Sequence, residues 1–170
     1  MVDWQLFVHL AEIAGVFVGF GALIAVRSEG VSDPHTVEYL RGVVSGGLLV
    51  VAAALAPLTL SRFGLEGRAV WVPCSLFFFV AFLLFWMGDA RCSENRVERK
   101  VNRGITTRYM AIALPMTAVV LGSLLLIIVD VWPEHAAALY FLAVTVWLIE
   151  TGFTLFWLVW TRDSAKLPAS

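Results

Sequence analysis

The sequence predicts an all-α integral membrane protein, folded as a bundle of five transmembrane helices. The chain is 60% hydrophobic and only 15% charged, whereas soluble domains average about 45–50% apolar and about 25% charged residues. Its apolar residues also fall into five runs, each long enough to supply the roughly 20 helical residues that cross a hydrocarbon core. No gap between the runs exceeds about twenty residues, too few for a separate soluble domain.

The five runs lie at roughly 5–26, 38–61, 69–88, 108–129 and 136–160, and they make residues 1–170 a single transmembrane domain. Pro34 and Pro133 stand at the starts of the second and fifth helices, where the missing N–H of proline costs nothing. A short turn from Arg62 to Arg68 makes the second and third helices antiparallel neighbours. The third run is the most uniformly apolar, so we expect it to face lipid.

The first run contains one carboxylate, Glu12, near its middle. At about 100° per residue, its small and polar residues share one side: Gln5, His9, Glu12, Gly15, Gly19 and Ala22. Its bulky residues point away from that side: Phe7, Leu10, Ile13, Phe17, Phe20 and Ile24. We therefore expect the bulky side to face lipid and Glu12 to face other protein.

Basic residues predict the orientation, because cytoplasmic loops of membrane proteins are enriched in lysine and arginine. Ten of them fall on one side of the five predicted spans: Arg27, Arg41, Arg91, Arg96, Arg99, Lys100, Arg103, Arg108, Arg162 and Lys166. Only Arg62 and Arg68 fall on the other side. This bias predicts an outside N-terminus and a cytoplasmic C-terminus, in a plasma membrane that would be the inner membrane of a bacterium.

Glu12 and Glu150 are the candidate functional acids. An acidic side chain near the bilayer centre costs about 2.5–3.5 kcal/mol on insertion scales, so each either has a partner or stays protonated. Two carboxyl groups at similar depth are suited to bind a cation or to relay a proton. The alternative is that each is a neutral acid, hydrogen-bonded to a neighbouring helix and locking the bundle. Arg41, nearer the cytoplasm, is placed to reach toward Glu150.

His9 lies one helical turn from Glu12, at the outer mouth of any pathway. It is a candidate proton relay, and with Glu12 and Glu150 it would form a His–Glu–Glu metal site. The simpler alternative is a histidine at the outer interface, hydrogen-bonded to Glu12 or to water. Only two of those three ligands come from one helix, so we assign no metal site and no cofactor.

Four glycines are assigned to helix packing: Gly15, Gly19, Gly46 and Gly122. The Gly15-x-x-x-Gly19 spacing is typical of close helix contacts in membranes. It is compatible with dimerisation and with packing inside one chain.

The predicted cytoplasmic loop 89–107 is basic, and Arg96, Arg99, Lys100 and Arg103 are its candidate contact residues. Each basic residue near an anionic leaflet gains about 1 kcal/mol, so the loop is suited to lie on anionic lipid headgroups. Its other possible role is to dock a cytoplasmic protein.

The sequence favours ion or proton permeation by a small homo-oligomer that uses its intramembrane carboxylates. The alternative is a non-conducting membrane subunit that assembles through small-residue helix faces and presents its basic loop to a partner; an enzyme acting on lipid ranks third. The chain has no phosphate-binding glycine loop and no CxxC pair. Ser45 is not at the depth of His9, so we assign no catalytic residue, and we expect the bilayer, not nucleic acid, as partner.

Overall fold

The computed structural model describes residues 4–27, 34–91 and 103–164, and within these ranges its regular structure is entirely helical. The helices are α1 (Trp4–Arg27), α2 (Pro34–Arg62), α3 (Arg68–Arg91), α4 (Arg103–Ile128) and α5 (Ala136–Ser164). A 3₁₀ turn at Pro133–His135 leads into α5. Each of these five helices contains a segment long and apolar enough to cross a membrane, which confirms that part of the prediction.

The chain divides into two compact units. Unit 1 comprises Met1–Leu55 and Trp147–Ser170, and therefore contains α1, most of α2 and the later part of α5. Unit 2 is Ala56–Val146, with the end of α2, all of α3 and α4, and the start of α5.

Glycines bring α1 and α2 together in unit 1. A Cβ atom placed on Gly47 of α2 would lie 2.6 Å from Cγ2 of Val18 and 3.5 Å from the carbonyl oxygen of Ala14. A Cβ on Gly21 of α1 would lie 3.0 Å from Cγ2 of Val44. Because contacts below 3.0 Å are not tolerated, Gly47 sets the close approach of these two helices.

The later part of α5 packs on both of the other helices of unit 1. On α2, the indole Nε1 of Trp147 donates to the carbonyl oxygen of Gly46 at 3.3 Å. A Cβ on Gly46 would lie 3.2 Å from Oγ1 of Thr151. On α1, the ring of Phe17 covers Gly152, whose Cβ would lie 3.1 Å from Cε2. Small residues let helix backbones approach in this way, and dispersion contacts then hold them.

A row of buried aromatic rings forms the interior of unit 2. Tyr140 of α5 lies with its ring centroid 5.7 Å from that of Trp71 and 6.3 Å from that of Phe78. Phe78 in turn packs edge-to-face on Phe82 at 6.4 Å. All four side chains are buried, so aromatic packing holds the start of α5 against α3.

Helix α3 therefore has a clear inner face despite its uniformly apolar sequence. Cys74, Phe78 and Phe82 are buried, whereas Phe77 and Leu84 are exposed. Only the exposed side of α3 is therefore available to face lipid, whereas the whole helix was expected to do so. Helices α3 and α4 pack on each other.

Candidate functional site

The candidate site begins with two side chains one turn apart on α1. Nδ1 of His9 lies 3.1 Å from Oε2 of Glu12, within hydrogen-bonding distance. When Glu12 is ionised, the Nδ1–H group donates and the carboxylate accepts. The side chains are 64% and 65% exposed. This pair is therefore formed on the surface of the chain, without shelter from the rest of unit 1.

The expected orientation of α1 is only partly found in the single chain. Glu12 is exposed rather than turned toward other helices of the chain, whereas Ile13 and Phe20 are exposed as expected. Phe7, Leu10 and Ala14 are buried, and they lie on the other side of the helix from Glu12. The physical reason lies in the contacts of unit 1: the α1–α2 contact uses Ala14, Val18 and Gly21, so the residues about half a turn away must point outward.

Two of the glycines assigned to packing lie on the exposed side of α1. A Cβ on Gly15 or on Gly19 would meet no other atom within 4 Å. Gly122 of α4 has the same open surroundings, whereas Gly46 is tightly packed. In the described chain, the Gly15-x-x-x-Gly19 spacing is thus not used for packing within the molecule.

Glu150 lies in a different environment. The residue is only 6% exposed, and its Oε2 atom has no hydrogen-bond partner among the residues that the structure describes. Its backbone carbonyl accepts a 2.9 Å hydrogen bond from Oγ1 of Thr154. A buried carboxyl oxygen that lacks a partner costs about 1–3 kcal/mol or more in desolvation, so Glu150 lowers the stability of the core of unit 1.

Arg41 does not reach Glu150. Its side chain is exposed, and among the described residues no ion pair joins it to that buried carboxyl. The structure brings His9 and Glu12 together, and among the described side chains no hydrogen bond or ion pair joins Glu150 to either of them. Within the described ranges, no three His, Cys, Asp or Glu side chains are grouped in a way that would hold a metal ion.

The basic contact residues fall largely beyond the described ranges. Arg96, Arg99 and Lys100 lie outside the described residues. Arg103 is the first residue of α4. The proposed role of the basic loop thus stays a prediction.

Unit 2 contains an ion pair that was not predicted from the sequence. Nη1 of Arg68, at the start of α3, lies 2.8 Å from Oδ2 of Asp130, just beyond the end of α4. Asp130 has a left-handed backbone (φ 62°) and ends α4 in a Schellman motif, in which Val131 N–H donates to Leu126 O and Asp130 N–H to Ile127 O. The order of the helices could have predicted it, because two consecutive antiparallel helices place the start of the first beside the end of the second.

Comparison with protein-family models, with curated proteins and with solved structures finds no match for this chain.

Proposed function

We propose that this protein is a non-enzymatic integral membrane subunit that assembles laterally through the exposed face of α1. One observation carries the proposal: an ionisable pair, His9 and Glu12, is exposed on a helix that is long and apolar enough to cross a membrane. This is the alternative that the sequence analysis kept open. The permeation function that it favoured depended on Glu12 turning inward, and that residue points outward.

The position of Glu12 along α1 makes its exposure costly. The apolar segment of α1 is Trp4–Ile24, so Glu12 lies two residues, or about 3 Å, from the middle of the span. A carboxyl group facing acyl chains at that depth costs about 2.5–3.5 kcal/mol on insertion scales. Covering it with another protein removes much of that cost, which gives α1 a reason to associate.

The glycine contacts distinguish two kinds of face on α1. Gly21 is used for packing within unit 1, whereas Gly15 and Gly19 remain open on the side that bears Glu12. Close helix approach, which small residues permit, is thus still available on the exposed side. A face that carries a polar group and has glycines in place of bulky side chains suits a partner helix better than it suits lipid.

The orientation that we propose places the N-terminus outside and the C-terminus in the cytoplasm. The basic segment 89–107 then meets the cytoplasmic leaflet, where anionic headgroups or a cytoplasmic protein would bind it. Native thiols test this orientation, because Cys74 is buried and contributes little background. A membrane-impermeant maleimide applied to intact cells should leave Cys92 unlabelled, and labelling before lysis would reverse the orientation.

Photo-crosslinking in native membranes tests the lateral assembly. A diazirine amino acid replaces Ala22, on the small-residue side of the exposed face, and in a matched control it replaces Phe20, which is 55% exposed on the bulky side. We expect position 22 to yield a protein adduct and position 20 to yield mainly lipid adducts. Only lipid adducts at both positions would contradict the proposal.

Glu150 supports a second candidate function, passage of a proton or a small cation. A buried carboxyl oxygen without a partner is available to bind a proton or a cation. Proteoliposome flux tests this candidate: Glu150→Gln should abolish a flux that the wild type shows, with the assembly state unchanged. Glu12→Gln separates the two roles, since it should alter flux only if the α1 face lines the route.

A further inference from the structure

We propose that the partner on the exposed face of α1 is a second copy of this chain, bound with the two α1 helices parallel. This inference rests on the lateral assembly proposed above and names its partner. The contact follows one line of residues, here called the α1 seam: Gln5, Val8, Glu12, Gly15, Gly19 and Ala22.

The spacing of the α1 seam fits a helix pair. Its residues alternate three and four positions apart, so they repeat every seven residues as the a and d positions of two packed helices do. From Gln5 to Ala22 the seam extends for about 26 Å at 1.5 Å per residue, most of the roughly 30 Å hydrocarbon thickness. Val8 is half-buried and the other five residues are exposed, so the seam lies open along its length.

The rest of the exposed surface of α1 suits lipid. Five bulky apolar residues lie there beside the seam, and they are between 46% and 67% exposed: Leu6, Ile13, Val16, Phe20 and Leu23. The exposed surface therefore divides lengthwise into a bulky apolar half and a small, polar half. Two copies that meet at their polar halves cover Glu12 and keep both bulky halves in lipid. A single chain also keeps its bulky half in lipid, but it leaves Glu12 exposed.

The hydrogen-bonding groups of the seam favour a second copy over another protein. In a parallel pair the two Glu12 carboxyl groups come to the same depth, where two ionised carboxylates would repel each other. One carboxyl group that carries a proton donates its O–H to the carboxylate of the other copy, which also accepts from its own His9 at 3.1 Å. Two copies thus supply both the donor and the acceptor at this depth, and a different partner would have to bring a matching polar group.

Disulfide crosslinking tests the contact at both ends of the α1 seam. The parent is Cys92→Ala, in which the remaining Cys74 is buried. Gln5→Cys and Ala22→Cys place thiols on the seam, and Leu6→Cys and Phe20→Cys place them on the bulky half at nearly the same depths. Oxidation in native membranes should give dimers from Gln5→Cys and Ala22→Cys at several times the yield from Leu6→Cys and Phe20→Cys.

The pattern of crosslinks decides between the possible arrangements. Dimers at both seam ends require parallel helices, because an antiparallel pair separates each end from its equivalent. Equal yields from seam and bulky positions, or dimers from the bulky positions alone, would overturn the inference. If position 22 gives a photo-adduct with a different protein and no disulfide dimer, the inference fails while lateral assembly stands; if it gives neither, both fail.

The polar pair should contribute measurably to the affinity. Interhelical polar contacts in membranes average about 0.6 kcal/mol and reach about 2 kcal/mol, so Glu12→Leu should weaken dimerisation roughly 3- to 30-fold. Ile13→Leu, next to it on the bulky half, is the matched control and should leave the dissociation constant unchanged. Energy transfer between labelled copies diluted into liposomes measures both, and an unchanged constant in Glu12→Leu would count against the polar contact.

Discussion

Nδ1 of His9 and Oε2 of Glu12 lie 3.1 Å apart on α1, and both side chains are about two-thirds exposed. The contact gives each residue one polar partner, but both side chains stay exposed at the surface of the chain. In a membrane such a surface must either be covered or remain costly. We therefore expect the His9–Glu12 pair to affect assembly more than it affects the folding of the single chain.

Glu12→Leu should weaken assembly while leaving the stability of the single chain nearly unchanged. Because the carboxyl group is exposed and, among the described residues, is hydrogen-bonded to His9 of its own helix, the free energy of unfolding of the dilute monomer should change by no more than about 0.5 kcal/mol. Reversible unfolding in excess detergent, followed by circular dichroism, measures this quantity. A loss of several kcal/mol would mean that Glu12 is a core residue after all.

Gly47→Ala should destabilise unit 1. The added methyl group would lie 2.6 Å from Cγ2 of Val18, so the Val18 side chain or the two helices must shift, at a cost of about 1–3 kcal/mol. Gly42→Ala on the same helix is the control, since its methyl group meets nothing within 4 Å. Gly42→Ala should be neutral or gain up to about 1 kcal/mol from helix propensity. Equal effects of the two substitutions on unfolding would refute the close contact at Gly47.

The five helices could be predicted from sequence because run length and hydropathy report directly on membrane-spanning segments. The orientation of a helix about its own axis could not be predicted so simply. For α1, the expectation rested on burying Glu12, but the chain buries Phe7, Leu10 and Ala14 instead. A lipid-facing residue and a protein-facing residue are equally apolar in a membrane, so hydropathy does not distinguish them.

The same limit applies to α3 and to the glycines. Phe77 and Phe78 are chemically identical neighbours, and only their packing makes one exposed and the other buried. Gly15 and Gly47 likewise cannot be told apart by residue type, since the difference lies in whether Val18 or open space faces them. The pairing of His9 with Glu12 was predictable because it depends only on spacing along one helix.

Glu150→Leu should leave the protein as stable as the wild type or more stable. The substitution removes Oε2, a buried oxygen without a hydrogen-bond partner in the described parts of the chain, and so relieves a desolvation cost of about 1–3 kcal/mol. Glu150→Gln keeps a polar group in the same place and should bring no such gain. Unfolding free energies of the two variants measure the difference. A marked loss in Glu150→Leu alone would show that the carboxyl group has a structural partner.

Asp130 should affect stability more through its left-handed backbone conformation than through its ion pair with Arg68. Both Asp130→Gly and Asp130→Ala lose the 2.8 Å ion pair, which at this exposure contributes about 0–1 kcal/mol. Only glycine relieves the left-handed conformation at φ 62°, so Asp130→Gly should be about 1 kcal/mol more stable than Asp130→Ala. Thermal unfolding compares them. Arg68→Ala isolates the ion pair, and its effect should shrink in about 1 M salt, where screening extends over only about 3 Å.

Phe78→Ala should be the most destabilising of the substitutions considered in unit 2. Its ring lies between Tyr140 and Phe82, at centroid distances of 6.3 and 6.4 Å, and its removal leaves a cavity of about 100 Å³ that costs about 2–3 kcal/mol. In lipid this cost comes from lost dispersion contacts rather than from hydrophobic transfer, because the unfolded helices remain in an apolar medium.

Phe77→Ala, one residue earlier and 51% exposed, loses a ring of the same size without opening a cavity and should cost less than about 1 kcal/mol. Unfolding of both variants under identical detergent conditions measures the difference, and similar losses would mean that the row of aromatic rings does not support unit 2.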